Sequence, residues 1–409
     1  MKAVLVVLDG LGDRRCKSLG YMTPLQYARN RVLDRLAAEG ETGLVDVVAR
    51  GIPNGSDTGH LALLGYDPFT CYTGRGPFEA LGAGLSLSHE DVAFRCNFAT
   101  VADDGTVLDR RAGRISTEES RELAESIQSM EIDGIQFIFR HTVEHRGVLI
   151  MRGEGISHRV SNVDPHGKTS AIQKPRPLDD SPESLKTAQA LQEFLEKTSQ
   201  ILQAHPINIK RREKNLPLAN YILTRGAGRL PNLAPFEQKF GLRAAVVAGG
   251  ALYKGVCRAA GFDVVNVEGA TGTVNTNLGN KVKAVVESLK THDFVLLHVK
   301  ATDTLSHDKK PREKAEMINR VGDALEKMLE QLTTDTYVAV TGDHTTSSEV
   351  GDHRGDPVPV LIWGADVRGD RVTKFDEISC MEGGLGRIRG VELMPILANY
   401  LGTLELYGE

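Results

Sequence analysis

Residues 294–307 read FVLLHVKATDTLSH, and the fold turns on how this stretch is divided. Residues 294–299 have the length and the apolar, β-branched content of a strand. Directly after them come Asp303 and His307, four positions apart. In a helix that spacing places both side chains on one face, with Cβ atoms about 6 Å apart. The same arrangement recurs further along. Residues 337–340 read as a strand and run into TGDHTT, which carries Asp343 and His344, and DHRGDPVPV brings His353 just ahead of a strand at 358–363. At the amino end, residues 4–8 form a continuous apolar run of the kind buried on both faces of a parallel sheet, and Asp9 ends it.

Between these strands the pattern switches to helical spacing. Thr23-Pro24 has the form of an N-cap followed by proline at the first helical position; Val32, Leu33, Leu36 and Ala37 continue a helical face, and Gly40 stops it. Residues 44–48 read as a strand. In the carboxyl-terminal part, strands at 244–248 and 264–267 alternate with a helix at 251–260 and with helical faces at Val282, Val285, Val286 and Leu289 and at Ile318, Val321, Leu325, Met328 and Leu332. Such alternation predicts an α/β fold with a mostly parallel sheet covered by helices. The region from about 80 to 240 differs in character. It holds short strands at 135–139 and 148–151, a helix through Leu185, Leu191, Phe194, Leu195 and Leu202, and the proline-rich stretch DPHGKTSAIQKPRPLDDSPES at 164–184, which reads as a mobile loop or hinge. The expected organisation is a discontinuous catalytic domain, 1–80 with 240–409, interrupted by an inserted second α/β domain at 81–239.

Composition narrows the function classes. A chain of 409 residues suits two domains, and 41% hydrophobic with 25% charged residues is the composition of a soluble globular protein. The net charge of −5 gives no basic surface for nucleic acid. No run approaches the roughly 18 apolar residues of a membrane span. The apolar stretch at 3–8 ends at an aspartate rather than at a small-residue cleavage site, which argues against a signal peptide. The five cysteines are scattered, with no CxxC pair. A disulfide framework and a cysteine-ligated zinc are disfavoured, and the cytoplasm is the expected location.

Ligand sites in open α/β sheets gather beyond the carboxyl ends of strands. Asp9, Asp303, Asp343, His307, His344 and His353 all fall there. Each alone reads equally well as a cap, a turn former or a surface histidine. Together, three carboxylates and three imidazoles suit a pair of divalent ions, and so many negative charges in one cleft would repel one another without cations. Ser56 lies in NGSD, in a glycine-containing turn before a helical segment. There it serves either as an N-cap or as a nucleophile, with helix N–H groups favouring an anion beside it. A neighbouring divalent cation would favour its deprotonated form. No GxSxG elbow is present, so a hydrolase triad is a poor alternative.

The segments MKAVLVVLDGLGD, TPLQ, NGSD, GYDP, GRGPFEALGAG, DRRAGRI, GATG, KATDTLSH, TGDHTT and HRGDPVPV occur in that order. Over nearly the whole chain they resemble the archaeal-type, 2,3-bisphosphoglycerate-independent phosphoglycerate mutases of the alkaline phosphatase superfamily. One departure is RNRVLDRLA at 29–37, where the family pattern would place Pro-Asn before Leu-Asp. The resemblance implies an alkaline-phosphatase-like sheet and Ser56 as the phosphoryl acceptor. It also implies two divalent ions, Mn²⁺ foremost with Zn²⁺, Mg²⁺ or Co²⁺ as alternatives, and no 2,3-bisphosphoglycerate. By the same analogy Asp303, His307 and His353 hold one ion, and Asp9, Ser56, Asp343 and His344 the other. No ligand role is assigned to His60.

The implied substrates, 3-phosphoglycerate and 2-phosphoglycerate, carry a phosphate and a carboxylate, anions that arginine meets in bidentate fashion. The candidates are Arg110, Arg111 and Arg114 in DRRAGR, His145 and Arg146 in EHRG, Arg159, Arg225 in TRGAGR and Lys254 in LYKG. Asp109 and His145 are candidates for moving the proton between glycerate hydroxyls. The expected reaction passes the phosphoryl group to Ser56 and back to the other hydroxyl of a retained glycerate. The effective concentration of that retained glycerate is on the order of 10⁵ M or more, and closure of the inserted domain would exclude water. Two alternatives stand beside this reading: a metal-dependent phosphatase or phosphodiesterase, which would discharge phosphoserine to water, and a catalytically silent metal-binding scaffold. The expected partner is a small molecule, without nucleic acid or membrane; an oligomer is compatible with the sequence and not required by it.

Overall fold

The run at Lys2–Leu8 forms the strand near the centre of an eight-stranded sheet, with Ala3 through Leu8 fully buried. A strand with neighbours on both edges and helices on both faces has no solvent side, which is why its sequence is continuously apolar rather than alternating. The computed structural model describes residues 1–165, 171–406 and 408. In spatial order the sheet runs Asp263–Val264, Ala244–Val247, Phe294–Val299, Lys2–Leu8, Thr336–Thr341, Val358–Trp363, Glu41–Asp46 and Gly386–Arg389. All neighbours are parallel except the two pairings of Val358–Trp363, with Thr336–Thr341 and with Glu41–Asp46. Leu8 pairs with Val299, and Val7 with Thr341. That register ends three adjacent strands at one level, so Asp9, Lys300 and Gly342-Asp343 all emerge on the same rim.

The chain divides into two units, Met1–Tyr72 with Leu233–Glu409, and Thr73–Asn232. These borders differ from 80/81 and 239/240. The helix Gly76–Gly82 packs on the strand Val92–Val101 of the second unit, and Phe236 packs its ring against Phe262 and Phe294 of the first. The second unit is built on a sheet whose strands all pair antiparallel: Val107–Asp109, Val92–Val101, Arg146–Arg152, Ile135–His141 and Ser129–Ile132 in order, with Tyr221–Gly228 also on Val92–Val101. The long helix Pro182–Ala204 seals it, with Phe194 stacked on Phe137 at 4.6 Å between ring centres. Of the stretch 164–184, residues 166–170 lie outside the described residues. Beyond them, backbone bonds join Arg176 to Ser161 and Leu178 to Arg159, and Ser181 caps the long helix. Among the described residues no helix is long and apolar enough to cross a membrane.

One helical reading is corrected. The face from Thr23 to Gly40 is two helices, Pro24–Ala28 and Arg31–Glu39. Arg29 takes a left-handed φ of 48° and ends the first helix. Asn30 starts the second, its Oδ1 accepting from the N–H groups of Val32 and Leu33 at 3.1 and 3.0 Å. Its amide also donates to Ile318 O at 3.1 Å, tying this corner to the helix Pro311–Leu329. Asn30→Ala removes the cap and leaves those groups unmet. The expected cost is about 1–2 kcal/mol in chemical denaturation, against near-zero for alanine at the exposed Arg31. A loss no larger than at Arg31 would refute this account of the corner.

Candidate metal centre and active site

Ser56 opens the helix Ser56–Leu63, with Gly55 at the N-cap position. Its hydroxyl makes no capping bond; Oγ faces His344 Nε2 at 3.3 Å. The helix reaches Asp343 closely because position 59 is glycine: a Cβ there would lie 2.4 Å from the Asp343 carbonyl oxygen. Asn54 Nδ2 donates to that same carbonyl at 2.9 Å. Loop 54–56 and loop 342–344 are thereby fastened to each other.

Asp9 sits at the centre, fully buried. His298 Nε2 lies 2.9 Å from its Oδ2, and Lys300 Nζ 3.1 Å from its Oδ1. Lys300 also binds Asp303. Burial opposes ionisation of Asp9, but Lys300 and the hydrogen bonds from His298 and His344 outweigh it and hold the carboxyl well below its ordinary range. Burial likewise opposes ionisation of Asp303, and Lys300 again wins. Asp343 is pushed up, by burial first and then by the charge of Asp9. Gly10 N–H donates to its Oδ1 at 3.0 Å, while its buried Oδ2 has no hydrogen-bond partner.

The three histidines share one orientation. His307 Nδ1 lies 2.8 Å from Gly351 O and His353 Nδ1 2.7 Å from Asn54 O. A carbonyl only accepts, so both Nδ1 atoms carry a proton, and Nε2 is the nitrogen that each ring turns toward the carboxylates. Those two Nε2 atoms are 3.3 Å apart and face Asp303 Oδ1 at 3.3 and 3.6 Å. His344 repeats the pattern: Nδ1 meets Thr346 Oγ1 at 2.9 Å, and the Thr346 hydroxyl donates to Asp303 Oδ1 at 2.8 Å. His344 Nε2 then faces Asp9 Oδ1 and Asp343 Oδ2, both at 3.5 Å. Imidazoles anchored through the far nitrogen, with Nε2 aimed at a cluster of carboxylate oxygens, are the usual mark of metal ligands. The residues present therefore fit divalent ions.

Among the described residues, two groups bring their ligand atoms within 4.8 Å of one another: Asp303, His307 and His353, and Asp9, Asp303 and His344. The first matches the set implied by the sequence. The second has Asp303 where Asp343 was implied, because Asp343 is drawn to Gly10 N–H and toward His60 Nδ1, 3.4 Å away. His298 and Lys300, which the sequence reading does not name, also stand at this centre, as does His60, to which that reading assigns no ligand role. His60 Nδ1 donates to Ser56 O at 2.7 Å. A histidine within the strand Phe294–Val299 and a lysine directly after it were the available signals.

The anion-reading candidates other than Lys254 lie in the second unit. Arg110 grips buried Asp164 with two bonds of 2.7 and 2.6 Å, and Arg225 Nε is 4.0 Å from the same carboxylate. Arg75 and Arg95, neither foreseen, flank Glu79 at 2.9 and 3.7 Å. Burial and then the Arg75 charge depress Arg225, and burial with Arg75 pushes Arg95 down to about 9. Guanidinium groups gathered in this way have the chemistry to meet an anion. The DRRAGR loop is left-handed at three successive residues, Ala112 (φ 47°), Gly113 (67°) and Arg114 (54°). Asp109 takes the N–H groups of Arg111 and Gly113, and Arg211 donates to Ala112 O. Arg111, Arg114, Arg146 and Arg159 are exposed, Arg159 beside Asp179. His145 is buried, its Nδ1 has no hydrogen-bond partner, and burial followed by the charge of Arg146 pushes it down to about 4. Lys254 is half-buried on the helix Ala251–Ala259 of the first unit.

The model of the 2,3-bisphosphoglycerate-independent phosphoglycerate mutase family matches residues 37–208. A protein of that name from Pyrococcus abyssi is 49% identical over 410 residues, covering 100% of this chain and 99% of the relative. The chain belongs to this family. A second member, from Methanocaldococcus jannaschii, is 47% identical over 408 residues, again covering 100% of this chain and 99% of the relative. Among solved structures, a protein from Pyrococcus horikoshii superposes with a TM-score of 0.88 at 42% identity, covering 100% and 99% of the two chains. The cofactor-independent phosphoglycerate mutase from Thermoplasma acidophilum gives 0.70 at 36%, covering 98% and 99%.

In the metal-free protein, burial disfavours a charged His344, but the carboxylates of Asp343 and Asp9 prevail and raise its pKa to about 9 from 6.5. The stabilisation from that proton is fully present below pH 6.5 and is lost as pH rises through about 9. An ion taking Nε2 must displace the proton. Mn²⁺ binding near neutral pH is therefore expected to release it, and this release should vanish above pH 9. Calorimetry in buffers of different ionisation enthalpy measures it; a proton count independent of pH would contradict the assignment.

Proposed function

We propose that this family member interconverts 3-phosphoglycerate and 2-phosphoglycerate through a phosphorylated Ser56, without 2,3-bisphosphoglycerate. The observation that carries the reading is the buried Ser56 hydroxyl beside His344, on the rim that also holds Asp9, Asp303 and Asp343, in a chain related over its full length to enzymes of that name. Asp303, His307 and His353 are assigned to one divalent ion and Asp9, Ser56, Asp343 and His344 to the other, with Mn²⁺ foremost and Zn²⁺, Mg²⁺ or Co²⁺ as alternatives. When bound, such ions supply positive charge that favours the deprotonated serine and offsets charge on the phosphoryl oxygens.

The protein's own groups do the rest. The Ser56 oxygen attacks phosphorus, an O–P bond forms, and the bond between phosphorus and the glycerate 3-oxygen breaks. Lys300, held by Asp9 and Asp303, offers an ammonium on the same rim to the developing charge. The first turn of the Ser56–Leu63 helix favours the anion. The released glycerate oxygen takes a proton, the 2-hydroxyl gives one up, and the 2-oxygen takes the phosphoryl group from Ser56. Between Asp109 and His145, the second is favoured for this proton traffic: the Asp109 carboxylate is already engaged by two backbone N–H groups, whereas His145 Nδ1 has no hydrogen-bond partner. The arginines of the second unit, Arg110, Arg114, Arg146 and Arg225, together with Lys254, are assigned to the phosphate and carboxylate of the substrate.

Phosphorus NMR of the Mn²⁺-loaded protein with 3-phosphoglycerate tests the reading. The 2-isomer should accumulate with little inorganic phosphate, and Ser56→Ala should lower kcat on the order of 10³-fold or more. Steady phosphate release without isomer would identify a hydrolase instead. Arg225→Lys, which keeps charge but loses the planar fork, should raise KM several-fold with a smaller change in kcat. An unchanged KM would remove Arg225 from substrate reading.

A further inference from the structure

Lys314 has no part in the chemistry described above, yet it is a fully buried lysine within one residue of the metal-site loops. It lies in the first turn of the helix Pro311–Leu329. Burying an ammonium is costly unless each of its donors is met. Here Nζ reaches Gly10 O at 2.8 Å, Asp13 Oδ2 at 3.0 Å, and Gly12 O and Thr346 O at 3.3 Å each. Asp13 in turn accepts from Ser348, from N–H at 3.0 Å and from Oγ at 2.6 Å. Three of the four lysine acceptors are backbone carbonyls, and they come from residues 10–12 and from the short strand Thr345–Ser347, segments also joined by Thr346 N–H donating to Gly12 O at 3.0 Å.

Those two segments adjoin the candidate ligands Asp9, Asp343 and His344. Gly10 follows Asp9, and its N–H donates to Asp343 Oδ1 at 3.0 Å, so this residue is held by Asp343 on one side and Lys314 on the other. Gly10 has a φ of +61°, and a Cβ there would lie 2.6 Å from Thr346 Oγ1 and 2.9 Å from Asp303 Oδ1. Thr346, whose carbonyl Lys314 holds, uses its hydroxyl to orient both His344 and Asp303. A single ammonium is thus one residue removed from the contacts that aim Asp343, His344 and Asp303. A buried ion pair is a poor device for stability alone, since well-packed apolar residues of the same volume do as well. An ammonium that meets carbonyls on both segments adds a charged tie to that backbone pairing, which apolar packing does not supply.

We propose that Lys314 is a positioning residue of the metal centre, an internal cation that clamps the loop after Asp9 to the short strand after His344 and so sets the spacing of the ligand groups. The inference rests on the two-ion reading given above. It concerns ligand aim, and groups that orient metal ligands typically contribute about 10- to 100-fold in metal affinity.

The test compares the full-length protein with Lys314→Met and with the charge-balanced pair Lys314→Met/Asp13→Asn, which leaves no uncompensated carboxylate buried. Mn²⁺ affinity is read by isothermal titration, the coordination of bound Mn²⁺ by electron paramagnetic resonance, and folding by circular dichroism. Both variants should bind Mn²⁺ about 10- to 100-fold more weakly with altered spectra. Their kcat should fall while KM for 3-phosphoglycerate stays close to that of the parent. If Lys314→Met does not fold, the paired variant decides. A folded paired variant with parental Mn²⁺ affinity and spectrum overturns the role of Lys314 and leaves the two-ion reading intact. Failure of the parent protein itself to bind Mn²⁺ overturns both.

Discussion

The mutual repulsion of Asp9, Asp303 and Asp343 is the constraint that organises the first unit. The parallel register that levels Leu8, Val299 and Thr341 forces these carboxylates onto one rim, where all three are buried. Burial by itself would protonate them. The protein instead surrounds them with Lys300, His298 and His344, and keeps Asp9 and Asp303 ionised. The imidazoles of His307, His344 and His353 are anchored from behind so that their Nε2 atoms point inward. A centre of this kind is prepared for cations before any arrive, and the nearby Ser56 hydroxyl shares that electrostatic setting.

Much of this was legible in the amino acids. Strands buried on both faces are continuously apolar, so residues 4–8 and 337–340 declared themselves, and the polar residues directly after them had to lie on the carboxyl-end rim. The order of Asp9, Asp303, His307, Asp343, His344 and His353 along the chain therefore translated into proximity. His298 and Lys300 were harder to see because they sit inside or against a strand, where reading by hydrophobicity registers the run and passes over its exception. The helix break at Arg29–Asn30 was hidden because apolar spacing continues across it; only a left-handed arginine, which no propensity favours, ends the first helix. Arg75 and Arg95 escaped notice because neither belongs to an arginine-rich cluster in the sequence. They converge on Glu79 only through the packing of the helix Gly76–Gly82 on the strand Val92–Val101.

The second unit shows the same economy in a different form. Its DRRAGR loop holds two non-glycine residues in left-handed backbone, a conformation that persists only when the surroundings over-determine it. Asp109 and Arg211 do so from opposite sides, one taking N–H groups and the other meeting a carbonyl. Asp109 therefore has a conformational duty in the loop that presents Arg110 and Arg114, whatever else it does.

The placement of the first strand has a consequence for biosynthesis. Ala3 pairs with Phe294 and with Tyr337, so the amino-terminal strand leaves the ribosome long before either neighbour exists. At about 5–20 residues per second the wait for the first partner is roughly 15–60 s. During that interval a wholly apolar, β-prone segment has no native edge to join, while residues 73–232, contiguous and self-contained, are free to fold as they emerge. A permuted order that brought this strand next to its partners in the chain would shorten that wait.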